Sequence, residues 1–130
     1  MLIITIRTDK PEAEIGLYEN TALLVADRWL AHRQLAETLH GRLRQLLETQ
    51  GKQWRDVQGI AVFQGPGSFT GLRIGISVAN ALAYSLQVPV AGAEDPDWTD
   101  AAIDSLVRGE AGKLVVPEYG ALPHITPQKK

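Results

Sequence analysis

The stretch Gln64-Gly65-Pro66-Gly67-Ser68-Phe69-Thr70-Gly71-Leu72-Arg73-Ile74-Gly75 joins a short apolar run, Val57 to Phe63, to a longer one, Leu72 to Leu86. Gly65, Gly67 and Gly71 admit positive φ, Pro66 presets a turn, and Ser68 or Thr70 can cap a following helix. The short run reads as a buried strand and the long one as a helix, so the stretch is a strand-to-helix turn. Amides at such a helix start can hold an anion, and Arg73 in the first turn would assist. The anion candidates are therefore Gly67, Ser68, Thr70, Gly71 and Arg73. The spacing is not that of a phosphate-binding P-loop, because no Lys-Ser or Lys-Thr follows the last glycine. Two readings of the turn stand side by side: a structural connection, or an anion or partner site.

Upstream, Leu2 to Ile6 is a β-branched run suited to a strand buried on both faces, closed by Asp9-Lys10-Pro11. Ala13 to Tyr18 and Ala22 to Arg28, joined by Glu19-Asn20-Thr21, read as an antiparallel pair, so the first third is a three-stranded meander. From His32 to Gln50 the period changes to that of a helix. Leu35, Leu39, Leu43, Leu46 and Leu47 share one stripe, Arg33, Glu37, Arg44 and Glu48 lie opposite, and Gly51 is placed to stop it. Downstream, Val88 to Ala91 makes a fifth strand. A meander followed by strand, helix, strand, helix and strand predicts an α/β domain with a mixed five-stranded sheet and two main helices.

The helix after the turn is apolar around more than half of its circumference, leaving Arg73, Ser77, Asn80 and Tyr84 as a polar seam. Gly75, Ala79 and Ala83 recur every four residues, a ridge that lets another helix come close. That helix is either the chain's own first helix or one from a second protein. The second reading gives an intermolecular helical bundle.

The chain has 130 residues, 45% of them apolar and 22% charged, which is one domain's worth of globular protein. A net charge of -2 supplies no general attraction for a polyanion, and the absence of cysteine excludes disulfides, thiol catalysis and cysteine-bound zinc. The N-terminus lacks a secretory leader and no run has membrane-spanning length, so a cytoplasmic chain without membrane contact is expected. His32, His40 and His124 have no metal-ligand spacing, and Ser68 has neither a nucleophile-elbow motif nor an evident base. No catalytic residue, metal or cofactor is expected. Trp29, Trp54 and Trp98 read as packing residues, and Asp9, Asp56 and Asp100 as surface or capping groups. Basic residues concentrate between Arg28 and Arg55, and acids between Glu94 and Glu110. Asp97 is placed to cap a short helix, Trp98 to Val107, and Leu114 to Val116 could add a strand. The layout is then a lobe over residues 1–92, an acidic helix and strand remnant over 93–116, and an extended tail over 117–130.

The stretch from Gln64 to Gly75 closely resembles the TsaB (YeaZ) family of tRNA threonylcarbamoyladenosine biosynthesis. The likeness extends to the Ile3-Ile4-Thr5-Ile6 strand, to His32, to Asp56-Val57-Gln58-Gly59-Ile60-Ala61-Val62 and to Val88-Pro89-Val90-Ala91-Gly92. It implies a lobe of the actin-like, Hsp70-like kinase superfamily, which is ribonuclease-H-like in topology. It also implies a non-catalytic scaffold that binds the catalytic subunit TsaD through the two helices, with TsaE joining indirectly and tRNA reached only through the complex. Carried onto this chain, it implies an interface of Leu35, Leu39, Leu43, Arg73, Ile74, Gly75, Val78, Ala79, Leu82 and Ala83, with Ile74, Val78 and Leu82 at its core and Arg73 and Asn80 at its rim. The same surface can pair with itself, so a homodimer is the alternative, as is a small anion- or nucleotide-binding protein using Gly65 to Gly71. Two departures stand out. Ile6-Arg7-Thr8 puts an arginine where the family has Ile-Asp-Thr, and in active members of the superfamily the carboxylate there handles metal-bound phosphate. The family's second lobe is missing, while Val116-Pro117-Glu118-Tyr119-Gly120 resembles the family's end, which implies an internal deletion.

Overall fold

The computed structural model describes residues 1–31, 34–67 and 69–117, and the backbone alone at Phe69. Its sheet has the order β3-β2-β1-β4-β5, with β1 Leu2–Arg7, β2 Glu12–Glu19, β3 Ala22–Leu30, β4 Gly59–Gly65 and β5 Val90–Glu94. The first three strands are the expected antiparallel meander, whereas β4 runs parallel to β1 and β5 parallel to β4. The β2–β3 turn uses Asn20 at φ 52, a left-handed geometry that asparagine tolerates. β1 lies at the centre, and Leu2, Ile3, Ile4 and Ile6 are all buried. A strand covered on both faces needs no polar alternation, which is why its sequence is a continuous β-branched run.

Helices cover both faces. Strand alternation sends Leu2, Ile4, Ile6 and Thr8 one way and Ile3, Thr5 and Arg7 the other. On the first face lie α1, Leu35–Thr49, and α2, Phe69–Leu86. On the second lies α3, Trp98–Val107, whose Leu106 abuts Gly59 and whose Trp98 meets the Phe63 ring edge-on with centroids 5.9 Å apart. Leu35, Leu39, Leu43, Leu46 and Leu47 of α1 are buried as their spacing predicts, and Gly51 at φ +66 follows its end. A short 3-10 turn at Trp54–Asp56 leads into β4, with Asp56 accepting from the Gln53 amide at 2.8 Å. His32, expected to open α1, lies outside the described residues, as does the tail from 118 onward.

Beside the two main helices, α3 is the short helix expected from Trp98 to Val107. Other expectations shift. β5 runs through the boundary expected after Gly92, and Trp98, Ala102, Ile103 and Leu106 of α3 join the same core as the lobe. Asp97 sits at the helix start, but with φ 59 its side chain makes no capping bond. Leu114 to Val116 is not a strand, because its polar groups are met by side chains; only Val90 and Gly112 form an isolated bridge.

The height of α2 over the sheet is set at the end of β1. The Thr8 hydroxyl donates to the Gly71 carbonyl at 2.6 Å, and Thr8 packs directly on Gly75, where a Cβ would overlap its hydroxyl. Gly75→Ala should therefore lower stability by about 1–3 kcal/mol, the usual cost of forcing a methyl into a packed site. Gly41 in α1 has open space around it, so Gly41→Ala should raise stability by about 0.5–1 kcal/mol. Urea unfolding of the two variants checks both signs.

Candidate helix-pair interface and the carboxyl edge of the sheet

At the carboxyl edge of the parallel strands, Arg7 is held in a double fork. Its Nε and Nη2 donate to the Asp9 carboxylate at 2.8 and 3.2 Å, and its Nη1 and Nη2 to Asp95 at 3.1 and 2.9 Å. The guanidinium carbon sits 3.9 Å from the Phe63 ring centroid, completing a cation–π contact. Burial by itself would pull the Arg7 pKa down, but the bonds to Asp9 and Asp95 outweigh it and shift it upward. The arginine stays charged, and two carboxylates against one guanidinium leave the edge with surplus negative charge. Asp9, expected as a surface or capping group, is instead a nearly buried ion-pair partner with 7% of its side chain exposed; Asp95 is 50% exposed.

This geometry bears on the anion candidates. Gly67 is pressed against Asp9, with a built Cβ lying 2.6 Å from the Asp9 Cβ, so an anion at this glycine would face a carboxylate. Gly71 gives its carbonyl to Thr8, and Thr70 and Arg73 are exposed. Thr70 and Arg73 line one shallow groove along α2, away from Gly67, and Ser68 lies outside the described residues. The candidates do not converge on one positive cradle. Among the described residues no cluster of three or more His, Asp or Glu is arranged to hold a metal, and no helix is long and apolar enough to cross a membrane.

The expected interface is largely consumed within the chain. Leu35, Leu39 and Leu43 of α1, and Gly75, Ala79, Leu82 and Ala83 of α2, are buried against the sheet and each other. They are core residues of this chain: Gly75 lies on Thr8 at the end of β1, and α2 packs chiefly on β4, with α1 and β1 beside it. Outside that core, α1 and α2 leave a shallow groove lined by Ala36, Thr70, Arg73, Ile74, Ser77 and Val78. Ile74 and Val78 are half-buried there, and Arg73 and Ser77 are exposed. Further along α2, Tyr84 is 79% exposed. Asn80, expected at the rim, is turned to the C-terminal segment, where both its amide atoms bond the backbone of Val115.

The Arg7–Asp9–Asp95 cluster escapes a reading by motif. Arg7 and Asp9 stand two apart at a strand end, a spacing that signals little, and Asp95 lies 88 residues away. Because the Arg7–Asp9 bond is nearly buried, Asp9→Asn should cost about 2–4 kcal/mol, as removing one partner of a desolvated pair does. Asp95→Asn should cost less than about 1 kcal/mol because its carboxylate is half in water. Urea denaturation of the two variants checks this order.

A family model described as TsaD, tRNA N6-adenosine threonylcarbamoyltransferase, matches residues 29–98. The tRNA threonylcarbamoyladenosine biosynthesis protein TsaB of Escherichia coli is 33% identical over 92 residues, covering 71% of this chain and 39% of that protein. A tRNA N6-adenosine threonylcarbamoyltransferase of Geotalea uraniireducens is 46% identical over 63 residues, covering 48% of this chain and 18% of the enzyme. The structure of YeaZ from Pseudomonas aeruginosa superposes with a TM-score of 0.66 at 32% identity, over 72% of this chain and 44% of YeaZ. Thermus thermophilus RuvC, at a TM-score of 0.54 and 15% identity, shares the fold alone, over 95% of this chain and 85% of RuvC. The chain spans less than half the length of the TsaB, TsaD and YeaZ proteins it matches. By this match over more than half its length, and by the sequence and actin-like fold it shares with them, the chain belongs to the TsaD and TsaB (YeaZ) family of tRNA threonylcarbamoyladenosine biosynthesis proteins.

Proposed function

We propose that the chain serves tRNA threonylcarbamoyladenosine formation as a non-catalytic scaffold that docks the catalytic subunit TsaD on the groove between α1 and α2. The observation that carries this reading is the groove itself. It sets two half-buried aliphatic side chains, Ile74 and Val78, beside an exposed arginine, Arg73, on a helix pair whose α1 leucines and α2 small-residue ridge are buried in the core. An apolar centre with a charged edge is the composition of a protein interface. Here the contact centres on Ile74 and Val78, smaller than the ten-residue surface the sequence suggests. TsaE would join through that complex, and tRNA would be reached only through it.

The non-catalytic part of the reading rests on Arg7. It stands where the family has an aspartate, the place at which active members of the superfamily handle metal-bound phosphate with a carboxylate, and it is committed to Asp9 and Asp95. The negative surplus at that edge, with Asp9 against Gly67, favours the scaffold over the alternative of an anion- or nucleotide-binding protein. Self-pairing through the same groove remains the second outcome to measure.

The test is size-exclusion chromatography with light scattering, on the chain alone and mixed with TsaD from the same source. A one-to-one complex is expected for the wild type. It should be lost in Val78→Glu, because a carboxylate buried in an apolar contact has no partner, while the urea midpoint of the variant stays near that of the wild type. A homodimer that ignores TsaD, or a Val78→Glu chain that still binds TsaD, would overturn the proposal.

A further inference from the structure

From a single bridge between Gly112 and Val90 of β5, residues 112–116 turn through a bend at Lys113 and run past Gly92, Asn80 and Gln64 as a strap. Gly112, Lys113, Leu114 and Val116 are exposed, and Val115 is buried, at 7% exposure. What holds the strap is its main chain. Asn80 Nδ2 donates to the Val115 carbonyl at 2.9 Å, and the Val115 amide donates back to Asn80 Oδ1 at 2.9 Å, so one side chain reads both polar groups of one residue. Gln64 Nε2 donates to the Val116 carbonyl at 2.9 Å, and the Val90 amide to the Gly112 carbonyl at 2.9 Å. The Val115 side chain fills the space beside Gly92, where a Cβ would lie 2.7 Å from its Cγ1.

These are the elements by which proteins capture an extended peptide at a sheet edge: main-chain hydrogen bonds for affinity and one side-chain pocket for selectivity. We propose that Gln64, Asn80, Val90 and Gly92 form a peptide-binding slot, occupied in cis by residues 112–116, that takes an extended segment with a small β-branched residue at the anchor position. The cis occupant is removable. Ordering its residues offsets most of what its few hydrogen bonds and one buried valine contribute, and Gly109, at φ +72, offers a pivot at its root. The strap therefore opens without unfolding the sheet, by the local route through which weakly packed segments exchange. While closed it excludes other peptides, because a tethered segment is present at high effective concentration.

The test uses the full chain and a fluorescent peptide of residues 111–117, Ala-Gly-Lys-Leu-Val-Val-Pro, followed by anisotropy. Val115→Asp empties the slot, and this variant should bind the peptide about ten-fold or more tighter than the wild type. Adding Asn80→Ala should remove that gain, and a peptide with Asp at the anchor position should bind neither chain. No gain in Val115→Asp, or equal binding of the Asp peptide, overturns the proposal. Hydrogen exchange on the wild type decides the case if the variant is poorly folded. The Val115 amide should exchange about a hundred-fold or more faster than the β1 and β4 amides, through local opening. Protection equal to that of β1 would mean that the strap opens only with the whole fold, and would overturn it.

Discussion

Thr8 lies against the bare backbone of α2 at Gly71 and Gly75, and the rest of the molecule is arranged around that contact. A side chain at position 75 would lift the helix off the end of β1. With none there, α2 lies low enough for Leu72, Ile76, Ala79 and Ala83 to enter the core with α1's leucines. Close seating of this kind consumes nearly all of α2's apolar surface inside one chain. Besides Tyr84 at the far end of the helix, what escapes is a narrow line, Ile74 and Val78, and that line is the groove the proposed scaffold would offer. The same placement turns Asn80 toward β5, where it meets the C-terminal strap.

The carboxyl edge of the parallel strands is where ligands commonly bind in sheets of this kind. Here the position is filled by the chain's own charges. Arg7 is divided between Asp9 and Asp95 and lies over Phe63, and Asp9 is pressed against Gly67. The glycine-rich turn then acts as a packing device, since the backbone at Gly67 makes room for Asp9. A helix start in this surrounding has its dipole opposed by a fixed carboxylate, which argues from electrostatics against an anion site.

Much of this was legible in the residue order, and for a local reason. The β-branched run of β1, the leucine stripe of α1, the turn glycines and Gly51 each state their structure within a few residues, because strand and helix periods and positive φ are short-range properties. Departures came where side chains replaced those rules. Asp97 took a left-handed backbone instead of a capping bond, and the 114–116 segment bonded to Asn80 and Gln64 in place of a neighbouring strand. The small-residue ridge on α2 reads as a place where a second helix comes close, and at Gly75 the close neighbour is Thr8 at the end of β1. Its partner was not legible, because the same ridge suits a helix of another chain as well as the sheet and α1 of its own.

The sequence alone determined the α/β class, the meander and the strand-helix-strand order, which follow from periodicity and turn chemistry along the chain, and its motif from Gln64 to Gly75 carried the family resemblance. Only the tertiary structure decided that Leu35, Leu39, Leu43, Ala79, Leu82 and Ala83 belong to the core and that Ile74 and Val78 stay at the surface. It alone paired Arg7 with an acid 88 residues away and closed the strap over Gly92. The reason is physical: which face of an apolar helix is covered, and which charge meets which, depend on distances across the fold that no local period encodes.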